Sequence, residues 1–313
     1  MFSLSEVSPK VSIIMNCLNC AEFLREAIDS VYSQTFQSWE IIFWDNASTD
    51  ESPEIVKDYD AKIRYFKGDE TVPLYKARNF ALDKARGEFI AFLDCDDYWH
   101  SEKLARQTAL FADNPGVDFI YGNYYILNMQ ENKTYQGLSG AQPSDPLFRS
   151  FMYSYPINLQ TVMLRRSLLE KFGGSFDETL RLCGDYDLFM RMVYSSSVAY
   201  IPEPLVHYRV HQNMCSMKYM ESYPAEMEYI LGKFMKLGDD FEVSYRREIE
   251  YFKAKIGYWR ARTEMAKGHP DRARNELGPY RRVDYKFFVL YLITYLPKFF
   301  WDWAHGIGRK TYY

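Results

Sequence analysis

Three carboxylates stand within four residues at Asp94, Asp96 and Asp97, directly after the apolar run Phe89-Ile90-Ala91-Phe92-Leu93. So close together they repel one another unless a cation neutralises them. Mg2+ or Mn2+ is the fitting ion, because it is held by one or two carboxylates and completes its shell with water and substrate phosphates. The cluster therefore points to chemistry on a diphosphate, and the missing downstream Gly and Glu exclude an EF-hand. A second acidic pair, Asp185 and Asp187, follows Gly184 and opens the apolar-periodic stretch Leu188, Met192, Val193. A carboxylate there is either a helix cap or a general base, and the spacing alone leaves both readings open. Two further polar clusters are Asn16 with Asn19, and Asp45-Asn46-Ala47-Ser48-Thr49-Asp50. Each could equally end a strand and cap the next helix. Taken singly, Arg78 reads as a surface helix residue and His211 as a satisfied loop histidine.

The elements that must carry these groups alternate. Val11-Ser12-Ile13-Ile14-Met15 is a buried-type strand, and Leu24, Ala27, Ile28 and Val31 recur at helical spacing behind it. Further strands are predicted at 41–44, 63–66 and 89–93, with helical stretches near 51–59 and 74–86. Strands alternating with helices imply an α/β fold with a mostly parallel, Rossmann-like sheet flanked by helices. Ligands of such sheets sit beyond the carboxyl ends of the strands, where the polar clusters fall. The aromatic stretch Phe119 to Tyr125 reads as a core strand, and residues 126–160, rich in Asn, Gln, Ser, Gly and Pro, as a loop region.

The 313 residues fit one catalytic unit with an appendage. From Arg246 onward, 15 Lys/Arg face 7 Asp/Glu, against 23 and 35 upstream, so a basic annex follows an acidic body. That asymmetry favours an anionic membrane surface or phosphorylated partner, and no recognition motif for nucleic acid accompanies it. Five scattered cysteines lack zinc-site spacing and are expected as reduced thiols. Met1 to Lys10 has no long apolar core, so no secretory leader is expected and the protein is placed in the cytoplasm.

Four ordered blocks resemble the GT-A glycosyltransferases of the large inverting family 2: Val11 to Asn19, Asp45 to Asp50, Ala77-Arg78-Asn79, and Phe92 to Asp97. The likeness continues through Gly173 to Glu178, Gly184 to Leu188 and Tyr208 to His211. Departures are Asn16 and Cys17 where the family usually has Pro-Thr, Leu18 where it often has Tyr, Asn46 for a second Asp, and Gly184 for a common Glu. The resemblance implies transfer of a sugar from a nucleotide diphosphate donor, of the UDP type, to a saccharide or lipid-linked saccharide. By the same resemblance, Asn16 and Asn19 belong to the donor site, Asp45 contacts the base and Arg78 lies against base or phosphates. Asp94 sits beside ribose and sugar, Asp96 and Asp97 carry Mg2+ or Mn2+, and Arg209, His211 and Ser216 close over the diphosphate. Asp185 becomes the general base, and Asp187 takes a supporting or donor-contacting role. An inactive nucleotide-sugar-binding scaffold is the competing reading, disfavoured by the complete carboxylate set. A nucleotidyltransferase is disfavoured because no Gly-rich cradle follows the first strand.

The expected division is a catalytic domain over 1–216, with 10–125 as donor half and 126–216 as acceptor half, and a C-terminal helical extension over 217–313. Near its end, Phe287 to Trp303 is aromatic-rich but interrupted by Pro297, Lys298 and Asp302. It falls short of the roughly 20 apolar residues of a membrane span. With Arg281, Arg282, Lys286, Arg309 and Lys310 around it, the segment reads as a helix lying at the membrane surface, with packing on the protein as the other reading.

Overall fold

The computed structural model describes residues 8–140, 142, 147–212, 214 and 218–308. The chain forms two compact units, one of Met1–Gln142 with Pro156–Gln212, the other of Pro143–Tyr155 with Asn213–Tyr313. The boundary thus falls a few residues before position 216, and a short segment from the expected acceptor half belongs to the second unit.

In the first unit, β1 (Val11–Cys17), α1 (Ala21–Tyr32), β2 (Trp39–Asp45), α2 (Ser52–Val56), β3 (Ile63–Lys67), α3 (Leu74–Leu82) and β4 (Phe89–Phe92) follow one another. The four strands run parallel in the order β3-β2-β1-β4. β1 and β2 are buried along nearly their whole length, which is why they read as unbroken apolar runs. α1 buries Leu24, Ala27, Ile28 and Val31 and keeps Glu22 and Arg25 outside. Where the chain enters β4, Gly87 lies so close to β1 that a Cβ would stand 2.5 Å from the Ser12 nitrogen, so only glycine fits.

Beyond β4 the sheet becomes mixed. It takes up β5 (Tyr98–Trp99), β6 (Phe119–Asn128), β7 (Lys133–Gln136), β8 (Met163–Arg165) and β9 (Val198–Val210), with α4 (Lys103–Asp113), α5 (Leu147–Tyr153), α6 (Arg166–Lys171) and α7 (Gly184–Ser195) between them. The full order is β3-β2-β1-β4-β8-β6-β9-β5, with β7 on β6. β8 is antiparallel to both neighbours, while β9 runs parallel to β6. The described residues of 126–160 therefore carry more regular structure than their composition suggests. The end of β6 pairs with β7 and β9, α5 follows, and a 3-10 turn covers Leu159–Thr161.

The second unit is helical, with helices at Tyr223–Phe234, Phe241–Ser244, Arg246–Ala266, Pro270–Leu277, Tyr285–Ile293 and Lys298–Gly308 beside α5. Ala254, Ala261, Met265, Ala273, Leu277, Phe287 and Trp301 form one of its cores. Small side chains on the long helix let the others approach: a Cβ at Gly257 would stand 2.7 Å from the Tyr280 ring. No helix among the described residues is long and apolar enough to cross a membrane. The segment Phe287 to Trp303 is two helices that break at Pro297. Phe287 and Trp301 turn inward while Phe288, Val289, Leu292, Tyr295, Phe299 and Trp303 stay exposed.

Candidate active site

Two backbone features shape the loops after β1 and β2: Asn19 and Ala47 both have positive φ, at 55° and 61°. Asn19 is a residue type that tolerates that region; Ala47 carries real strain there. Hydrogen bonds hold it. Asn19 Oδ1 accepts from the Thr49 amide at 2.7 Å, and the Asn19 amide donates to Ser48 Oγ at 3.1 Å. α1 has no capping side chain of its own. Asp50 instead accepts from the Ala21 amide at 2.9 Å and Ser52 Oγ from the Cys20 amide at 3.2 Å, so the second loop caps the first helix.

Asp45 is fully buried, and each of its oxygens is taken: Oδ1 by the Ser48 amide at 2.8 Å, Oδ2 by the Tyr65 hydroxyl at 2.6 Å. Both oxygens are engaged by the protein, one donor each, and a second acceptor site remains on each. Asn46 likewise bonds Val72 in both directions, at 2.8 and 3.1 Å. The Asn16 amide is different. Both its oxygen and its nitrogen are buried with no hydrogen-bond partner among the described residues, at the end of β1, a costly state unless a ligand completes it.

The turn after β4 spreads its carboxylates to different tasks. Asp94 is clamped. Arg78 Nη2 donates to Oδ1 at 2.7 Å, Gln160 Nε2 donates to Oδ2 at 2.7 Å, and Gln160 Oε1 accepts from the Asp94 amide at 2.8 Å. Asp96 stays partly open and meets His211 Nε2 at 3.1 Å. Asp97 turns inward, where Oδ1 accepts from the Arg209 amide at 2.7 Å and Oδ2 has no partner among the described residues. Burial, added to by the charge of Asp96, pushes its carboxyl well above the usual range. Arg209 is committed too: its guanidinium donates to the Asp96 carbonyl and pairs with Glu26, while stacking near Phe23 and Tyr98. At 4% exposure it braces the turn and has little surface left for a phosphate.

α3 joins this turn to α7. Arg78 is buried between the rings of Tyr75 and Phe176, both 5.6 Å away, and its charge acts on Asp94 and on Asp185. Asn79 clasps the Phe176 backbone in both directions, at 3.0 and 2.8 Å, fixing the segment that leads into α7. Asp185 lies in the first turn of α7 with part of its surface open. Burial raises its carboxyl above the ordinary value, and Arg78 opposes the rise. Asp187 is fully buried and paired with Arg191 at 2.8 Å, a structural ion pair one helical turn long.

One guanidinium thus pairs with Asp94 and acts through its charge on Asp185, and Asp96 and His211 form a second, partly open pair. Those two residues suit a cation with one oxygen and one nitrogen donor. Asp97 keeps Oδ1 on the Arg209 amide, and its Oδ2 is buried. Among the described residues no group of three or more His, Cys, Asp or Glu is arranged to hold a metal, so the remaining ligands would have to come from water and substrate phosphates, as is usual for Mg2+. Ser216 lies outside the described residues. Gln160, Tyr75 and Tyr65 were missed by sequence reasoning: each is an ordinary residue type whose role comes from long-range contact.

Residues 12–173 match the family described as Glycosyl transferase family 2. The chain is 31% identical over 229 residues, 72% of this chain and 87% of the relative, to the Escherichia coli UDP-Glc:alpha-D-GlcNAc-diphosphoundecaprenol beta-1,3-glucosyltransferase WfgD. Among solved structures it is similar to S. aureus TarS 1-349 in complex with UDP-GlcNAc, with TM-score 0.65, 19% identity, and 88% of this chain and 81% of that chain covered. The mannosyltransferase PcManGT from Pyrobaculum calidifontis in complex with GDP-Man and Mn2+ gives TM-score 0.59, 16% identity, and 92% and 85% coverage.

Proposed function

The chain belongs to glycosyl transferase family 2 and has its GT-A fold, and from that premise we propose that it inverts the sugar it transfers, from a UDP-type donor to a lipid-linked saccharide in cell-surface polysaccharide assembly. The coupling of Arg78 to both acids, by an ion pair with Asp94 and by its charge on Asp185, carries this reading. Asp94, fixed by Arg78 and Gln160, faces the donor, and Asp185 takes the proton from the acceptor hydroxyl as that oxygen attacks. A carboxyl raised by burial is the better base near neutral pH, and Arg78 keeps it ionised. Asp185 acting as base on the acceptor hydroxyl, with Asp94 held by Arg78 and Gln160, gives a single displacement in which the diphosphate leaves from the opposite face and the sugar is inverted. The orphaned Asn16 amide supplies a donor and an acceptor at the nucleotide end. WfgD supports the UDP donor and the diphosphate-lipid acceptor.

Asp96 and His211 would hold Mg2+ or Mn2+, and PcManGT supports a divalent ion. Such a cation offsets charge on the departing diphosphate. Incubating the protein with a panel of nucleotide sugars and a lipid-diphosphate-linked N-acetylhexosamine, with and without Mn2+, tests the reading by nucleotide release. Release that is highest with a UDP-sugar, needs the acceptor and is lost in EDTA supports it. No release with any donor favours the inactive scaffold.

A second observation bears on where this happens. Tyr285 (72% exposed), Phe299 (70%) and Trp303 (58%) lead a row of open apolar side chains in the last two described helices. Arg281, Arg282, Lys286 and Lys298 lie exposed near them. Apolar rings flanked by cations fit an anionic lipid surface, so we place the enzyme peripherally on the inner leaflet.

A further inference from the structure

At Gly184 the space that a side chain would need is filled from α3: a Cβ there would stand 2.7 Å from three atoms of the Tyr75 ring. That ring cannot swing aside cheaply, since it is 2% exposed and stacked on Phe176 at 5.4 Å. The same ring carries its hydroxyl to the start of α7, 2.8 Å from the Leu182 carbonyl and 3.2 Å from Asp185 Oδ1. One hydroxyl proton therefore serves two acceptors, one of them the carboxylate. Resting on the reading of Asp185 as the general base, we propose that Tyr75 is its positioning residue. Tyr75 donates to the charged carboxylate before transfer and turns to the Leu182 carbonyl once the carboxyl has taken the acceptor's proton, and Gly184 is the residue that makes room for it.

The charged and titratable groups facing Asp185 are Tyr75 and Arg78 from α3; Cys183 lies beside Tyr75 at the start of α7. Arg78 is held by Asp94. Burial and the charge of Asp185 both keep the Tyr75 hydroxyl protonated, hence a donor. A hydrogen bond to the charged form favours that form. Its loss should make Asp185 harder to ionise by about one pH unit, roughly tenfold in proton affinity.

The experiment measures kcat/KM for transfer against pH, acceptor varied and donor saturating, in full-length Tyr75→Phe, Gly184→Ala and Asp185→Asn. Phe keeps the ring against Phe176 and Arg78 and removes only the hydroxyl. Its acid limb should move up by about one pH unit with the alkaline plateau within about threefold of wild type. Gly184→Ala keeps the hydroxyl but displaces it, so its acid limb should move the same way. If either folded variant has a profile superimposed on wild type while Asp185→Asn is inactive, Tyr75 does not position the base, though Asp185 remains the base. If Asp185→Asn itself transfers normally, the parent reading fails and this proposal with it.

Discussion

Replacing Gln160 with Leu tests the clamp on Asp94. The side chain is 2% exposed, holds Asp94 through two hydrogen bonds of 2.7 and 2.8 Å, and sits on a turn whose Gln160 carbonyl accepts from Trp99 Nε1 at 3.2 Å. Leu preserves the volume and the turn but removes both bonds. A hydrogen bond to a charged group contributes about 1.5–3 kcal/mol when buried. The Asp94 side chain is 35% exposed, so water can replace part of that, and screening brings the expected loss to about 1–2 kcal/mol. Arg78 still holds Oδ1, so Asp94 stays in place but gains freedom to rotate. The predicted outcome is a fall of roughly tenfold in kcat/KM with KM for the donor raised and melting temperature lowered by only a few degrees. Kinetics of nucleotide release with the donor varied, alongside circular dichroism melts, provide the measurement. If Gln160→Leu keeps wild-type kinetics while Asp94→Asn is inactive, Asp94 works without the clamp and the network has been misread.

Asp96→Ala or His211→Ala should each abolish the stimulation by Mn2+ seen with wild type, whereas Asp97→Asn, which keeps the acceptor for the Arg209 amide, should retain it; equal loss in all three would put Asp97 back among the ligands. Lys103 is fully buried with Gln107 as its hydrogen-bond partner at 2.8 Å, and burial lowers its pKa well below 10.5. The folded state thus binds fewer protons than the unfolded one, so stability should rise with pH from the depressed folded value up to the unfolded one. Lys103→Met should lose that rise, a slope of up to about 1.4 kcal/mol per pH unit, in denaturant titrations between neutral and alkaline pH. Phe299→Asp with Trp303→Asp should cut sedimentation with anionic liposomes severalfold without lowering the melting temperature, and high salt should release wild type in part; unchanged sedimentation would remove the lipid surface.

Much of the donor half was legible. β1 and β2 are parallel strands whose burial on both faces writes itself as apolar runs, and the polar residues at their ends follow from the same topology. Asp185 was singled out as base by the family resemblance, its place after Gly184 alone leaving cap and base open; why Gly184 is glycine was not legible, because the answer is a ring 109 residues earlier in the chain. The partition among Asp94, Asp96 and Asp97 was equally hidden: side-chain direction in a turn, and partners from Gln160, Arg209 and His211, decide it. The family resemblance made Arg209 a diphosphate ligand, and Glu26, 183 residues earlier in the chain, shows that its charge is already engaged. In the second unit, aromatic density suggested one surface helix, whereas Pro297 splits it and Phe287 and Trp301 build core on one side while their neighbours remain open on the other.

The central claim is most directly tested by comparing wild type with Asp185→Asn in transfer from a UDP-sugar, with the anomeric configuration of the product read by NMR and donor affinity read by calorimetry. The account predicts a product inverted relative to the donor, donor affinity within about twofold between the two proteins, and transfer lower by roughly 10²–10⁴ in the variant, the range of a lost general base. A retained configuration, or a variant that transfers within about threefold of wild type while binding donor normally, would contradict it.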